Sequence, residues 1–206
     1  MADGSSLSVR GAFTGQIAGL PRADANSAFC VTERLGLGLA TLMSRGDDAA
    51  LNARIVEQFG VELRSGPARS AKGGTAFVGI GPGVWLACRE AAEVSWAAEL
   101  AIRVSGLASV SDQASGYAVL RFGGSAARDL LSRCAFIDFH PSVFTPGSAA
   151  VTTIAHIGVI LWRLDDTQAY EVAVFRSYAG SFWHWIEMTC AATGVKLLAS
   201  AQNLSQ

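Results

Sequence analysis

The sequence predicts an α+β fold with mostly antiparallel sheets and packed helices. Three observations carry that expectation. Residues 75–80 and 84–88 are β-rich runs joined by Gly81-Pro82-Gly83, which folds them back on each other as a hairpin. Residues 158–164 and 170–176 flank the polar stretch Asp165-Asp166-Thr167-Gln168 and form a second hairpin. In that register Val159, Leu161 and Arg163 face Val174, Val172 and Tyr170. Segments of helical period return between the strands without a repeating strand–helix–strand unit, so a doubly wound parallel sheet is not expected.

Residues 1–26 are rich in Gly, Ser, Ala and Asp and have no sustained period, so they read as a loose tail or as an arm that orders on a partner. Residues 27–206 then form one domain, either a single compact unit or two closely packed lobes joined near 105–110. Residues 29–34 and 37–43 read as strands. Asp47 or Asp48 caps a helix with Leu51, Ile55 and Phe59 on one face and Gly60 at its end. A second helix over about 90–104 is expected to carry Val94, Ala98, Ala101 and Ile102 inward.

Past Gly106 the pattern sharpens. Residues 117–122 read as a strand, followed by Gly123-Gly124-Ser125 and a short helix over 126–133 with Ser125 as its N-cap. Residues 149–156 add a further strand. The last helix starts near Ser177, with Phe182, Trp185, Ile186 and Thr189 on one stripe and Gly194 just beyond its end.

Charge and composition remove several function classes. The chain balances 16 Lys+Arg against 17 Asp+Glu, which leaves no electrostatic footprint for nucleic acid or an anionic membrane. Charged residues make up 16% of the chain against roughly 25% in an average soluble domain. Either a compositional bias toward Ala and Gly or a surface buried against a partner accounts for so few charges. The start lacks a basic head followed by an apolar run, and the apolar segment 149–164 is interrupted and short of a membrane span. The isolated cysteines Cys30, Cys88, Cys134 and Cys190 fit neither a disulfide scaffold nor a zinc site. A reduced, cytoplasmic protein is expected.

Catalytic signals are absent from the spacing. Gly79-Ile80-Gly81-Pro82-Gly83 lies between two strands, where a dinucleotide loop would open a helix, and Pro82 removes a donor. His140, His156 and His184 fall on a loop, a strand end and a helix, with nothing to make them converge. Asp47-Asp48 and Asp165-Asp166 are read as a helix cap and a solvated turn. No catalytic, cofactor-binding or metal-binding residue is assigned. The aromatic-basic segment 175–185 is different. Trp183 lies off the face of Phe182, Trp185 and Ile186, so it either joins a second cluster in this chain or anchors an interface. Arg163, Arg176, Tyr178, Trp183 and His184 are the candidate interface residues.

A family resemblance rests on particular residues. Val110-Ser111-Asp112-Gln113, Gly116-Tyr117-Ala118-Val119-Leu120-Arg121-Phe122 and Ser125-Ala126-Ala127-Arg128-Asp129-Leu130-Leu131 resemble the gamma subunit of heterotetrameric sarcosine oxidase. So do Ile137-Asp138-Phe139-His140-Pro141, Gly158-Val159-Ile160-Leu161-Trp162-Arg163 and the stretch from Val174 to Trp185. The likeness runs from about Ala28 to Gly194. It implies a fold similar to the folate-binding domain of aminomethyltransferases. It also implies partners in alpha, beta and delta subunits, with FAD, FMN, NAD and tetrahydrofolate held on those partners and no cofactor on this chain. The activity it implies for the complex is oxidative demethylation of sarcosine to glycine, giving hydrogen peroxide and formaldehyde or methylenetetrahydrofolate. The alternative is a small folate-dependent aminomethyltransferase-like protein, which would need a carboxylate in its folate pocket.

Overall fold

The computed structural model describes residues 11–164 and 168–200. Their order is α1 (Thr14–Ala18), β1 (Cys30–Glu33), β2 (Gly38–Ser44), α2 (Asp48–Phe59), β3 (Arg69–Lys72), β4 (Thr75–Gly81), β5 (Val84–Arg89) and α3 (Trp96–Arg103). There follow β6 (Ala108–Asp112), β7 (Tyr117–Gly123), α4 (Ala127–Ser132), β8 (Ala149–Ile154), β9 (Ile157–Arg163) and β10 (Tyr170–Phe175). A 3-10 turn (Arg176–Tyr178), α5 (Ala179–Thr193) and β11 (Leu198–Ala199) complete it.

Two sheets stack face to face with helices outside. One has the order β3-β4-β5-β2-β6, the other β11-β1-β7-β10-β9-β8. Leu39, Val78 and Leu86 of the first meet Val119, Ile160 and Trp162 of the second in the central layer. Outside the first sheet, Leu51, Ile55 and Leu100 of α2 and α3 cover Leu42, Phe77 and Trp85. Outside the second, Leu131, Phe182 and Ile186 of α4 and α5 cover Leu120, Phe122 and Val172. Both sheets are buried on two faces, which is why so many strand positions are apolar on both sides.

The elements follow local chemistry. Asp47 caps α2 by accepting from the Ala50 amide at 2.8 Å, and Gly60 ends it in the left-handed region at φ 65°. The β9–β10 register is the expected one, with Val159 opposite Val174, Leu161 opposite Val172 and Arg163 opposite Tyr170. The Asp165–Thr167 part of the polar turn lies outside the described residues. The β8–β9 hairpin turns at Ala155 and His156, both in the left-handed region at φ 50° and 65°.

Several expectations are corrected. The second helix begins at Trp96, so its buried face is Trp96 and Leu100, continued by Val104, while Val94 and Ile102 point to solvent. Trp96 and Leu100 lie two residues, about 200°, from the exposed Ala98 and Ile102, so the opposite side of the helix packs. Ser125 does not cap α4, whose N-cap position is Ala126. The Ala126 amide instead donates to the Ala28 carbonyl at 2.8 Å, and a Cβ on Gly124 would lie 2.4 Å from that same oxygen. Residues 11–26 depart from the expected tail or arm. Phe13 is fully buried with its ring 6.0 Å from that of Trp183. The Ala23 amide donates to the Ala199 carbonyl and the Ala199 amide to that of Pro21. Residues 1–10 lie outside the described residues.

Candidate functional site

The histidines and cysteines are dispersed rather than convergent. His140 sits in the loop after α4, its Nδ1 2.7 Å from the Ser142 hydroxyl. His156 occupies the β8–β9 turn, and His184 lies on the exposed side of α5. Among the described residues no three of His, Cys, Asp and Glu are grouped to hold a metal ion. All four cysteines are free. Burial pushes the Cys88 thiol far up and that of Cys190 up to about 11, so neither forms a nucleophilic thiolate near neutral pH.

The strongest polar cluster lies between the sheets. Alternation along β10 turns Glu171 to the same face as Ala173, into the central layer, where its exposure falls to 4%. A carboxylate there needs full compensation. Glu171 Oε1 lies 2.7 Å from Arg34 Nε and 2.7 Å from an Arg121 terminal nitrogen. Its Oε2 accepts from Trp162 Nε1 at 2.9 Å. Arg34 also pairs with Glu90 at the rim. A cavity of about 170 Å³ lies alongside, between Trp162, Glu171, Arg69, Thr75 and Cys88. Glu33 is the second buried carboxylate. It accepts from the amides of Ala12 and Phe13 and from the Thr14 hydroxyl.

The candidate interface residues divide. Arg163 is buried and donates to the Phe144 carbonyl at 2.7 Å. Trp183 is buried too, its Nε1 donating to Glu187 at 2.8 Å and its ring against Phe13. The stretch around Trp183 carries no sign of this, because the covering ring arrives from 170 residues upstream. Arg176, Tyr178 and His184 are exposed and share the 3-10 turn and the start of α5. Sequence reasoning missed the stack of the half-buried Tyr117 on the exposed Phe175, with ring centroids 4.6 Å apart. It also missed Glu171, whose signal was a lone acid inside an otherwise apolar strand.

Comparison with known proteins adds the lineage. A family model described as sarcosine oxidase, gamma subunit family matches residues 44–192. The chain belongs to the sarcosine oxidase gamma subunit family. It is 30% identical over 152 residues to a sarcosine oxidase subunit gamma of Corynebacterium sp. strain P-1, covering 73% of this chain and 72% of that one. An Arthrobacter sp. sarcosine oxidase subunit gamma is 30% identical over 135 residues, covering 65% of each chain. Among solved structures, a chain of heterotetrameric sarcosine oxidase from Corynebacterium sp. U-96, in complex with pyrrole 2-carboxylate, superposes with a TM-score of 0.77 at 23% identity. That match covers 89% of this chain and 95% of the other. The glycine cleavage system aminomethyltransferase T of Bartonella henselae gives a TM-score of 0.60 at 10% identity, over 84% of this gamma-family chain and 48% of the enzyme. The fold is therefore the α+β, aminomethyltransferase-like one that the sequence predicts.

Proposed function

We propose that this chain is a non-catalytic accessory subunit of a heterotetrameric sarcosine oxidase, with alpha, beta and delta subunits as partners. The complex converts sarcosine to glycine, releasing hydrogen peroxide and either formaldehyde or methylenetetrahydrofolate. FAD, FMN, NAD and tetrahydrofolate belong to the partner subunits in this reading, and the complex works in the cytoplasm. The family match across residues 44–192 carries it.

The non-catalytic part is supported by how the buried acids are used. Glu171 is taken by two guanidinium groups and an indole N–H, and Glu33 by backbone amides and a hydroxyl. Every oxygen of both carboxylates already has a partner within the chain, which weighs against either serving the polar edge of a folate. The two buried acids among the described residues are thus already used inside the chain, which weighs against the small-transferase alternative. No helix among the described residues is long and apolar enough to cross a membrane.

The test is gentle purification of the tagged chain from its native host, followed by a visible spectrum and a sarcosine assay. A yellow, active complex with two larger chains and one small one is expected. A colourless, solitary protein that binds tetrahydrofolate would overturn the reading in favour of the transferase.

A further inference from the structure

The cavity of about 170 Å³ beside Glu171 is lined by a charge that the described chain leaves unanswered. In the β3–β4 register Arg69 lies opposite Val78 and Ala71 opposite Ala76, and both partners belong to the central layer. Strand alternation therefore turns Arg69 into that layer too, where it is half-buried. Its backbone is fixed from both sides, by β4 and by its amide donating to the Gly147 carbonyl at 2.7 Å. Its guanidinium makes no hydrogen bond or ion pair among the described residues.

The other charges around the cavity are matched. Glu171 is held by Arg34 and Arg121, and Glu90 by Arg34. Lys72 also lines the wall, but its ammonium turns to the end of α2, 3.2 Å from where a Cβ on Gly60 would sit. Burial above all raises the Cys88 thiol, and Glu171, Arg69, Glu90 and Arg34 also act on it. These four charges therefore surround one buried, neutral sulfur. With Arg121 the cluster sets three guanidinium groups against two carboxylates, which leaves a single positive charge. Arg69 carries it.

We propose that this cavity binds one small monocarboxylate, gripped by Arg69, with its carbon end against Trp162, Leu37 and Ala76. A guanidinium presents its donors in a planar fork that takes both oxygens of a carboxylate. One negative charge neutralises the cluster, whereas a second would be repelled by Glu171 and Glu90. Ala71, Gly73, Gly74 and Glu90 are exposed at the mouth, so a ligand enters without parting the sheets. The site belongs to this chain alone and does not depend on the accessory-subunit role.

Titration of the full chain with propionate, exchanged for chloride at constant ionic strength, tests it through the indole N–H resonance of Trp162. A saturating shift is expected, with malonate binding more weakly. Arg69→Gln should weaken propionate about tenfold or more, the effect of losing hydrogen bonds to a charged group. Lys72→Gln, which removes a neighbouring charge aimed elsewhere, should bind like the wild type. If Arg69→Gln melts early, Arg69→Lys takes its place, since it keeps the charge, loses the fork and should also bind more weakly. No saturating shift, or one that survives both Arg69 variants, overturns the proposal. An equal response to chloride leaves an adventitious ion only and overturns it as well. Co-expression with the other subunits separates the remaining source: Arg69→Gln should enter the complex as the wild type does. Its exclusion from the complex would assign the carboxylate to a partner's side chain and overturn the free ligand.

Discussion

Glu33 and Glu171 are both buried carboxylates, and they are held in different ways. Glu171 is met by side chains from three directions: Arg34 just past β1, Arg121 on β7 and Trp162 on β9. Its compensation is built into the sheet that buries it. Glu33, pointing to the opposite face, is met by Ala12, Phe13 and Thr14, with no ion pair among the described residues. Its compensation is lent by a segment that reaches it from 20 residues away. Sheet and charge stand or fall together at Glu171, whereas at Glu33 a local opening of the arm suffices to strip the carboxylate of its partners.

The largest separation between the two should come from Glu171→Gln. It leaves two guanidinium groups facing each other in the central layer, and a loss of about 3 kcal/mol is expected by chemical denaturation, the low end for a broken buried pair because Arg121 is partly exposed. A loss below that of Glu33→Gln would break the comparison. Phe13→Ala comes next, at about 3 kcal/mol for an emptied aromatic site. Its particular signature is a red-shifted Trp183 emission together with faster proteolysis ahead of β1. Glu33→Gln should cost about 1–2 kcal/mol, since the amide oxygen still accepts one of the arm's N–H groups. Hydrogen exchange should rise at residues 12–14 and stay unchanged at β10. The smallest effect is alkaline. Burial raises the Cys190 thiol from its ordinary 9.0 to about 11, so the folded state favours the neutral form. That contribution is whole below about pH 9 and is lost as pH rises toward about 11. Melting temperature should fall over that window, and the slope should be shallower in Cys190→Ala.

How much of this was legible in the sequence follows from the range of the interactions. The β9–β10 register, a cap at Asp47 or Asp48 and the Gly60 stop are written in neighbouring residues; the register and the stop read correctly, and the structure takes Asp47 as the cap. The short polar strands β3 and β6 were missed because RSAK and ASVSD carry little β signal and owe their state to the sheet edge they complete. The phase of α3 failed because the bulky Trp96 and Leu100 take the buried side and leave Val94 and Ile102 exposed. The site was less legible still. Trp183 read as a candidate surface anchor because Phe13 lay in a segment with no period, and Glu171 passed unremarked because its three partners come from three separate parts of the chain.

The β8–β9 turn has one more consequence. Two-residue hairpin turns with both residues left-handed favour Asn-Gly, which reaches that conformation with little strain, whereas Ala155 and His156 do not. The turn therefore cannot nucleate its own hairpin. Its register is fixed instead by Ile154 and Ile157, which are buried opposite each other, and by the bridge from Ala135 to Ile154. A peptide of residues 149–163 should stay unstructured in water, and in the whole chain this hairpin is expected to close late, after α4 has brought Ala135 into place.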